Sequence, residues 1–280
     1  MSAGPPGFQW DETLYAGSAD YYAVGRMPYP AALADALAAE LQLDGSGRLL
    51  DVGCGPGSLT LLLARLFSTA VGIDADRDMV RRAERAARET GVDNVRWQRL
   101  RAEELPAGLG AFRVVTFAQS FHWVDRPRVA HAVRPMLGSD GVWVHVAATT
   151  HRGVDGADPL PFPRPPHDEI DALVARYLGP VRRAGRGVLP GGTAGGEEEV
   201  MRAAGYRGPR RLAVGGGTVR ERTEDEVVAA VFSLSSAAPH LFAGRRPEFE
   251  RDLRRLLRTA SPAGRFSERV RETELVLWRP

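Results

Sequence analysis

The 280-residue sequence has no lysine and a single cysteine, Cys54. All its cationic side chains other than histidine are therefore arginines, which beside the abundant Ala, Gly and Pro reads as coding bias rather than function. One cysteine excludes an internal disulfide and suits a reducing, cytoplasmic setting. Placed between two turn glycines, it reads as a small filler whose backbone meets a ligand, not as a nucleophile. No apolar run approaches the length of a membrane span, and MSAGPPGFQWDE has neither the basic start nor the apolar core of a signal peptide. A strong charge of one sign is missing too: 37 basic residues face 35 acidic ones. The pI near 9.0 follows from arginine's high pKa and that small excess. Acids interleave with several of the pairs Arg81-Arg82, Arg182-Arg183, Arg210-Arg211 and Arg254-Arg255, and no zinc knuckle or RNA-domain pattern accompanies them, so solvated helix faces are the simpler account and nucleic acid is not implied. No grouping of His and carboxylates has metal-ligand spacing, so no metal is expected, and no internal repeat is visible.

What the chain does have is concentrated in Arg48 to Leu63, RLLDVGCGPGSLTLLL. Leu49, Leu50 and Val52 read as a buried strand. Gly53, Cys54, Gly55, Pro56 and Gly57 form a turn too tight for β-carbons at its glycine positions. Leu59, Leu62, Leu63, Leu66 and Phe67 then fall on one helical face. A strand, glycine turn and helix bring backbone amides up to a ligand. The dinucleotide fingerprint G-x-G-x-x-G is not met, because counting from Gly53 its third glycine position is Ser58.

The pattern D-x-G-x-G-x-G from Asp51, with Asp74 closing the next strand, resembles the first two motifs of class I S-adenosylmethionine-dependent methyltransferases. That resemblance implies a glycine turn against the methionine part of the cofactor and a second acid on the ribose hydroxyls, which one carboxylate can accept together. Arg101-Ala102-Glu103-Glu104-Leu105-Pro106 resembles the family's adenine turn, D-A-E-x-L-P, with Arg101 at the usual acid position, leaving Glu103 and the Ala102 backbone to serve it. Glu103 equally suits a helix-start acid. Gln119-Ser120-Phe121-His122-Trp123-Val124-Asp125, after the fourth strand, resembles a stretch of a small-molecule subgroup that includes trans-aconitate methyltransferase-like proteins. Asp20 to Pro30 partly resembles that subgroup's Y-x-x-x-R-P-x-Y-P entry, with Met27 departing from it. Cofactor contacts are thereby implied at Tyr21, Arg26, Asp51, Gly53, Cys54, Gly55, Gly57, Asp74, Ala75, Met79, Ala102, Glu103, Gln119, His122 and Trp123. His122 is the candidate catalytic base, with a structural or pocket role as the favoured alternative.

Around this core, Phe8, Trp10, Tyr15, Tyr21, Tyr22 and Tyr29 make an aromatic start to the chain, read either as a helix packed at the sheet's edge or as a lid attracted to a sulfonium cation. Ala31 to Leu41 reads as an amphipathic helix, Asp78 to Thr90 as another stopped by Gly91, and Val95 to Leu100 and Phe112 to Ala118 as strands. Asp125 caps a helix ended by Gly138, and Gly141 to Ala147 is the fifth strand, with His145 a satisfied core histidine. Further on, Asp158 to Pro166 is proline-rich and Asp168 to Leu178 helical, while Ala184 to Gly196 is a glycine-rich connector. Arg211 to Val214 and Glu272 to Trp278 are strands, and Glu224 to Ser233 and Pro247 to Arg258 helices. His167 and His240 read as loop or surface histidines.

The expected architecture is α/β: a Rossmann-like, seven-stranded, mostly parallel sheet with an antiparallel last strand, helices on both faces, an N-terminal lid and a helical substrate cover. Residues 1–43 are read as lid helices, 44–148 as the cofactor-binding core, and 149–280 as cover insertions with the strands that complete the sheet. The resemblance implies a bacterial-type, cytoplasmic enzyme, monomeric or homodimeric. It would move a methyl group to O, N or C of a small molecule and release S-adenosylhomocysteine. The alternative is a cofactor-binding relative without transfer activity, a cyclase scaffold or regulatory partner.

Overall fold

The computed structural model describes residues 13–154, 156, 159–181, 183–184, 187–188 and 195–280. Phe8, Trp10 and most of the glycine-rich connector expected over 184–196 lie outside them. In chain order the elements are α1 (Ala19–Gly25), α2 (Ala31–Leu41), β1 (Arg48–Val52), α3 (Ser58–Leu63), β2 (Thr69–Asp74), α4 (Arg77–Thr90), β3 (Val95–Arg99), β4 (Phe112–Ala118), α5 (Arg126–Val133) and β5 (Leu137–Ala147). There follow α6 (His167–Leu178), β6 (Arg183–Ala184), β7 (Gly187–Val188), α7 (Glu197–Ala203), β8 (Arg207–Val214), β9 (Val219–Thr223), α8 (Glu224–Phe232), α9 (Arg246–Ala260), β10 (Arg265–Arg269) and β11 (Thr273–Arg279). No single helix among the described residues is long and apolar enough to cross a membrane.

The described residues divide into two compact units: 29–148, 195–215 and 272–280 form one, and 13–28, 149–188 and 216–271 the other. In the first, seven strands run in the order β3-β2-β1-β4-β5-β11-β8. β1 to β5 are parallel, while β11 pairs antiparallel with both β5 and β8. This is the sheet the sequence predicts, and strand alternation accounts for its cores. Leu50, Val52, Val115, Phe117 and Trp143 join one apolar cluster, and their neighbours Leu49, Val114 and Val144 join another that includes Leu33 and Leu37 of α2. α2, expected within the lid, thus belongs to the sheet unit, and the boundary falls after residue 28 rather than 43.

Two local expectations are corrected, and one further helix is found. The helix after the glycine turn is short: α3 ends at Leu63, a 3-10 turn covers Ala64–Leu66, and Phe67 is extended. Asn94 Nδ2 donates to the carbonyls of Ala64 and Phe67, both at 2.9 Å, satisfying the helix end so that the chain can enter β2. Leu62 and Leu66 are consequently only partly buried. α5 ends at Val133, ahead of Pro135, which cannot continue it, and Gly138 lies inside β5. α7 was not foreseen; Met201 on it is fully buried, and the nearby Tyr206 hydroxyl donates to the Ala130 carbonyl at 3.0 Å.

In the second unit, α6, α8 and α9 enclose Ile170, Val227, Phe232, Phe242, Phe249 and Phe266. β9 and β10, also unforeseen, form an antiparallel ribbon. α1 belongs here: Tyr21 packs on Phe232 with ring centroids 5.0 Å apart, and the Ser18 hydroxyl donates to the Phe232 carbonyl at 2.8 Å.

Candidate functional site

Parallel sheets present their ligand-binding loops at the carboxyl ends of the strands, and here those ends carry the glycine turn after β1, Asp74 at the end of β2, and the loop after β4. The amides of Gly53 and Cys54 both donate to the Ile73 carbonyl, at 2.8 and 3.0 Å, which ties the turn to β2. Ser120, after β4, donates its hydroxyl to the Val52 carbonyl at 2.6 Å. A β-carbon on Gly53 would sit 2.5 Å from Ser120 Cβ, and φ there is +69°, so only glycine permits this junction. Around Gly55 (φ +54°) the corresponding direction holds nothing within 4 Å: the backbone borders open space.

The Gly55 amide donates to Asp74 Oδ2 and the Asp76 amide to Asp74 Oδ1, each at 2.8 Å. Each carboxylate oxygen keeps a further lone pair. Burial pushes the Asp74 carboxyl up to about 6, against the pull of those two N–H donors. A partly buried, destabilised carboxylate beside an open glycine backbone is suited to hydroxyl donors, and it fits the ribose of S-adenosylmethionine.

Asp51 has another place. It is fully buried, with Oδ2 accepting from the Thr60 hydroxyl at 2.6 Å and Oδ1 from the Thr116 hydroxyl at 2.7 Å. Burial raises its pKa while the two hydroxyls lower it. Asp51 therefore braces α3 and β4 behind the turn instead of meeting a ligand. Met79, also expected at the ligand, is 2% exposed and packed inside, where Asp76 caps α4 by accepting from the amides of Asp78 and Met79. Burial, followed by the charges of Asp74 and Asp51, drives the Cys54 thiol well above its ordinary range, which leaves it protonated and inert.

The other expected residues are distributed as follows. Gly57 (φ +85°) immediately precedes α3, and the Ala75 carbonyl, after Asp74, accepts from Arg99 Nε at 3.1 Å. Ala102 and Glu103 lie in a 3-10 turn after β3, with Glu103 Oε1 accepting from the Asp125 amide at 3.0 Å. Gln119 donates to the Val146 carbonyl at 3.2 Å, holding the β4 loop to β5. Phe121 and Trp123 are buried on either side of a partly exposed His122, whose ring centroid lies 4.6 Å from that of Trp123. Tyr21 and Arg26 lie in the second unit. There Tyr21 bonds Arg246, while Arg26 lies over the Tyr22 ring and donates to the Ser233 hydroxyl at 2.8 Å.

His145 corrects another expectation. It is buried, its Nε2 has no partner among the described residues, and Nδ1 stands 3.7 Å from Glu197. Burial lowers its pKa to about 3, so the ring is neutral. No group of three or more His, Cys, Asp or Glu among the described residues could hold a metal ion.

The sheet order with its inserted antiparallel strand, the glycine turn and the acid ending β2 are those of the class I methyltransferase fold. Residues 49–141 match the methyltransferase domain family model. The uncharacterized methyltransferase YcgJ of Bacillus subtilis is 35% identical over 95 residues, which are 34% of this chain and 38% of that protein. The ubiquinone biosynthesis O-methyltransferase of Methylococcus capsulatus is 36% identical over 95 residues, 34% of this chain and 40% of that one. A 23S rRNA (uracil(1939)-C(5))-methyltransferase of Aeromonas salmonicida is 48% identical over 50 residues, 18% of this chain and 11% of that one. The chain thus spans about two fifths or less of these relatives' lengths. Among solved structures, one from Anaeromyxobacter dehalogenans assigned to the type II methyltransferases shares the fold. It has a TM-score of 0.51 and 23% identity, covering 90% of this chain and 95% of that one.

Proposed function

We propose that this chain is an S-adenosylmethionine-dependent methyltransferase whose acceptor is a small molecule. The observation that carries the reading is Asp74 at the carboxyl end of β2, joined through the Gly55 amide at 2.8 Å to a glycine turn whose backbone borders open space. When bound, S-adenosylmethionine supplies an electrophilic sulfonium methyl group. Asp74 accepts the ribose hydroxyls, the Gly55 backbone lies along the amino-acid part, and Ala102 and Glu103 border the adenine. His122, on the loop after β4, takes the proton of an acceptor hydroxyl. The rest of the protein's part is orientation and exclusion of water.

A small molecule is favoured over RNA because several of the arginines that stand in runs are matched by acids. Arg210 pairs with Glu40, Arg211 with Glu198 and Glu274, and Arg254 with Glu224, Asp225 and Glu250. The rRNA-modifying relatives match over 50 to 89 residues, within a domain common to many acceptors. The deciding experiment is calorimetric titration with S-adenosylmethionine, S-adenosylhomocysteine and NADH, on the unaltered chain and on Asp74→Ala. Binding of the first two, lost in the variant, supports the reading; binding of NADH alone, or of none, overturns it. Release of S-adenosylhomocysteine with a small-molecule acceptor then separates an enzyme from a relative without transfer activity.

A further inference from the structure

In the second unit a cavity of about 340 Å³ lies between two helical faces. On α6 it is lined by Ile170, Asp171, Val174, Ala175 and Leu178, whose spacing puts them on one side of the helix. On α8 it is lined by Val227, Ala230 and Val231, again at helical spacing, with Leu234 just beyond the helix end. The apolar part of this wall is incompletely covered. Val174, Leu178 and Leu234 are only partly buried, although they pack against the core that holds Ile170, Val227 and Val231.

Polar groups gather where α6 begins. The sequence reads His167, the first residue of α6, as a loop histidine, but its Nε2 lies 2.8 Å from Glu268 Oε1. Glu268, 3% exposed, also accepts from the Gly153 amide at 2.7 Å and from Arg222 at 2.8 Å. Against the pull of burial, His167, Gly153 and Arg222 hold its carboxyl down at about 2. This network pins the start of α6 to β10 and spends its charges internally. Of the described lining residues with a fixed charge, Arg152 and Asp171 remain. Arg152 Nη1 stands 3.9 Å from Asp171 Oδ2, and the two side chains are 48% and 69% exposed. A pair so distant and so open binds itself weakly, which leaves the guanidinium able to take a carboxylate and the aspartate able to take an ammonium group.

Both charges lie at one end of the apolar wall, which runs about 10 Å along α6 from Asp171 to Leu178. A ligand that engages both must carry its anion and its cation close together, with an apolar body beside them. We propose that the second unit binds an α-amino acid with a large apolar side chain, its carboxylate on Arg152, its ammonium on Asp171 and its side chain between α6 and α8. A plain amine or a plain carboxylate is selected against, because each leaves one of the two charged residues unanswered. The inference rests on the cavity and its charged rim and holds whether or not the methyl-donor reading does.

The test is equilibrium dialysis of the full chain at pH 7, where a free amino acid carries both charges. The probes are L-phenylalanine, phenethylamine, which lacks the carboxylate, 3-phenylpropionate, which lacks the ammonium, and glycine, which lacks the apolar body. L-phenylalanine is expected to bind at least about tenfold more tightly than each of the others, the discrimination one charged hydrogen bond gives. Arg152→Gln should remove its advantage over phenethylamine, and Asp171→Asn its advantage over 3-phenylpropionate. Val174→Trp, which fills the cavity from a partly buried position, should weaken L-phenylalanine at least about tenfold. Circular dichroism establishes that the variants fold. No binding of L-phenylalanine, equal binding of any of the other three probes, an advantage that survives its charge substitution, or affinity unchanged by Val174→Trp would each overturn the proposal. The probe ratios on the unaltered chain stand even if a variant does not fold.

Discussion

Replacing Asp74 by Asn gives a stability difference whose dependence on pH follows from the structure. In the fold the carboxyl titrates at about 6, against 3.8 for its ordinary value. A raised pKa means that the native state binds the proton more tightly. The stabilisation from protonated Asp74 is thus fully present below pH 3.8 and lost as pH rises through about 6. Two pKa units amount to about 3 kcal/mol. Asn does not titrate, and its amide leaves one of the two N–H donors without an acceptor, a pH-independent cost of about 1–3 kcal/mol. The stability of Asp74→Asn relative to the unaltered chain should therefore climb by about 2.4 kcal/mol between pH 4 and pH 7, with a slope approaching 1.4 kcal/mol per unit between the two pKa values, whatever that constant cost is. Urea unfolding followed by tryptophan fluorescence is the assay, since Trp97, Trp123, Trp143 and Trp278 all lie in the sheet unit. A flat difference across that range, or one that falls with pH, would refute the claim that Asp74 is an electrostatic burden in the ligand-free fold.

Other substitutions separate architecture from ligand contact. Gly53→Ala combines a positive φ with a 2.5 Å approach to Ser120 and should cost about 2–4 kcal/mol, read as a lowered urea midpoint. Gly55→Ala meets open space, so it should cost only about 1 kcal/mol of stability yet weaken S-adenosylmethionine at least tenfold by calorimetry. Thr60→Val deprives the buried Asp51 of a donor at 2.6 Å and should destabilise the chain by about 2 kcal/mol in the same urea assay. Arg222→Met leaves Glu268 buried without its cation and should cost about 3–5 kcal/mol. The support from Glu268 is present above pH 4.5 and lost as pH falls towards 2, so acid titration of the unaltered chain should reveal it and the variant should show less of it.

The parts of this fold that could be read from the sequence are those whose cause is local. The apolar run of β1, the turn glycines, Gly91 ending α4 and the β4 alternation are each set by neighbouring residues, and each appears where expected. The position of Asp74 at the end of β2 was legible because an apolar run, Ala70 to Ile73, gives way there to Asp74, Asp76 and the cap of α4. Asp51 was misread because its role is set by Thr60 and Thr116, the latter 65 positions away, which no spacing reveals. Met79 was misread because nothing local tells an inward helix position from a ligand-facing one. The ribbon of β9 and β10 was hidden by its composition: VRERT and RFSER look solvated, and only the pairing of the strands shows that Arg222 and Glu268 neutralise each other inside. His167 owes its importance entirely to that pairing.

The two units are written into the chain in alternation. The backbone passes from one to the other after residue 28, after 148, between 188 and 195, after 215 and after 271. Domains are ordinarily exchanged between genes at boundaries the chain crosses once. Here a single recombination breakpoint anywhere between residues 29 and 271 leaves both units chimeric, and replacing one of them whole needs five. Change in either unit is therefore reached by point substitution rather than by shuffling, and a hybrid protein made by joining two halves of related sequences inherits two mismatched cores.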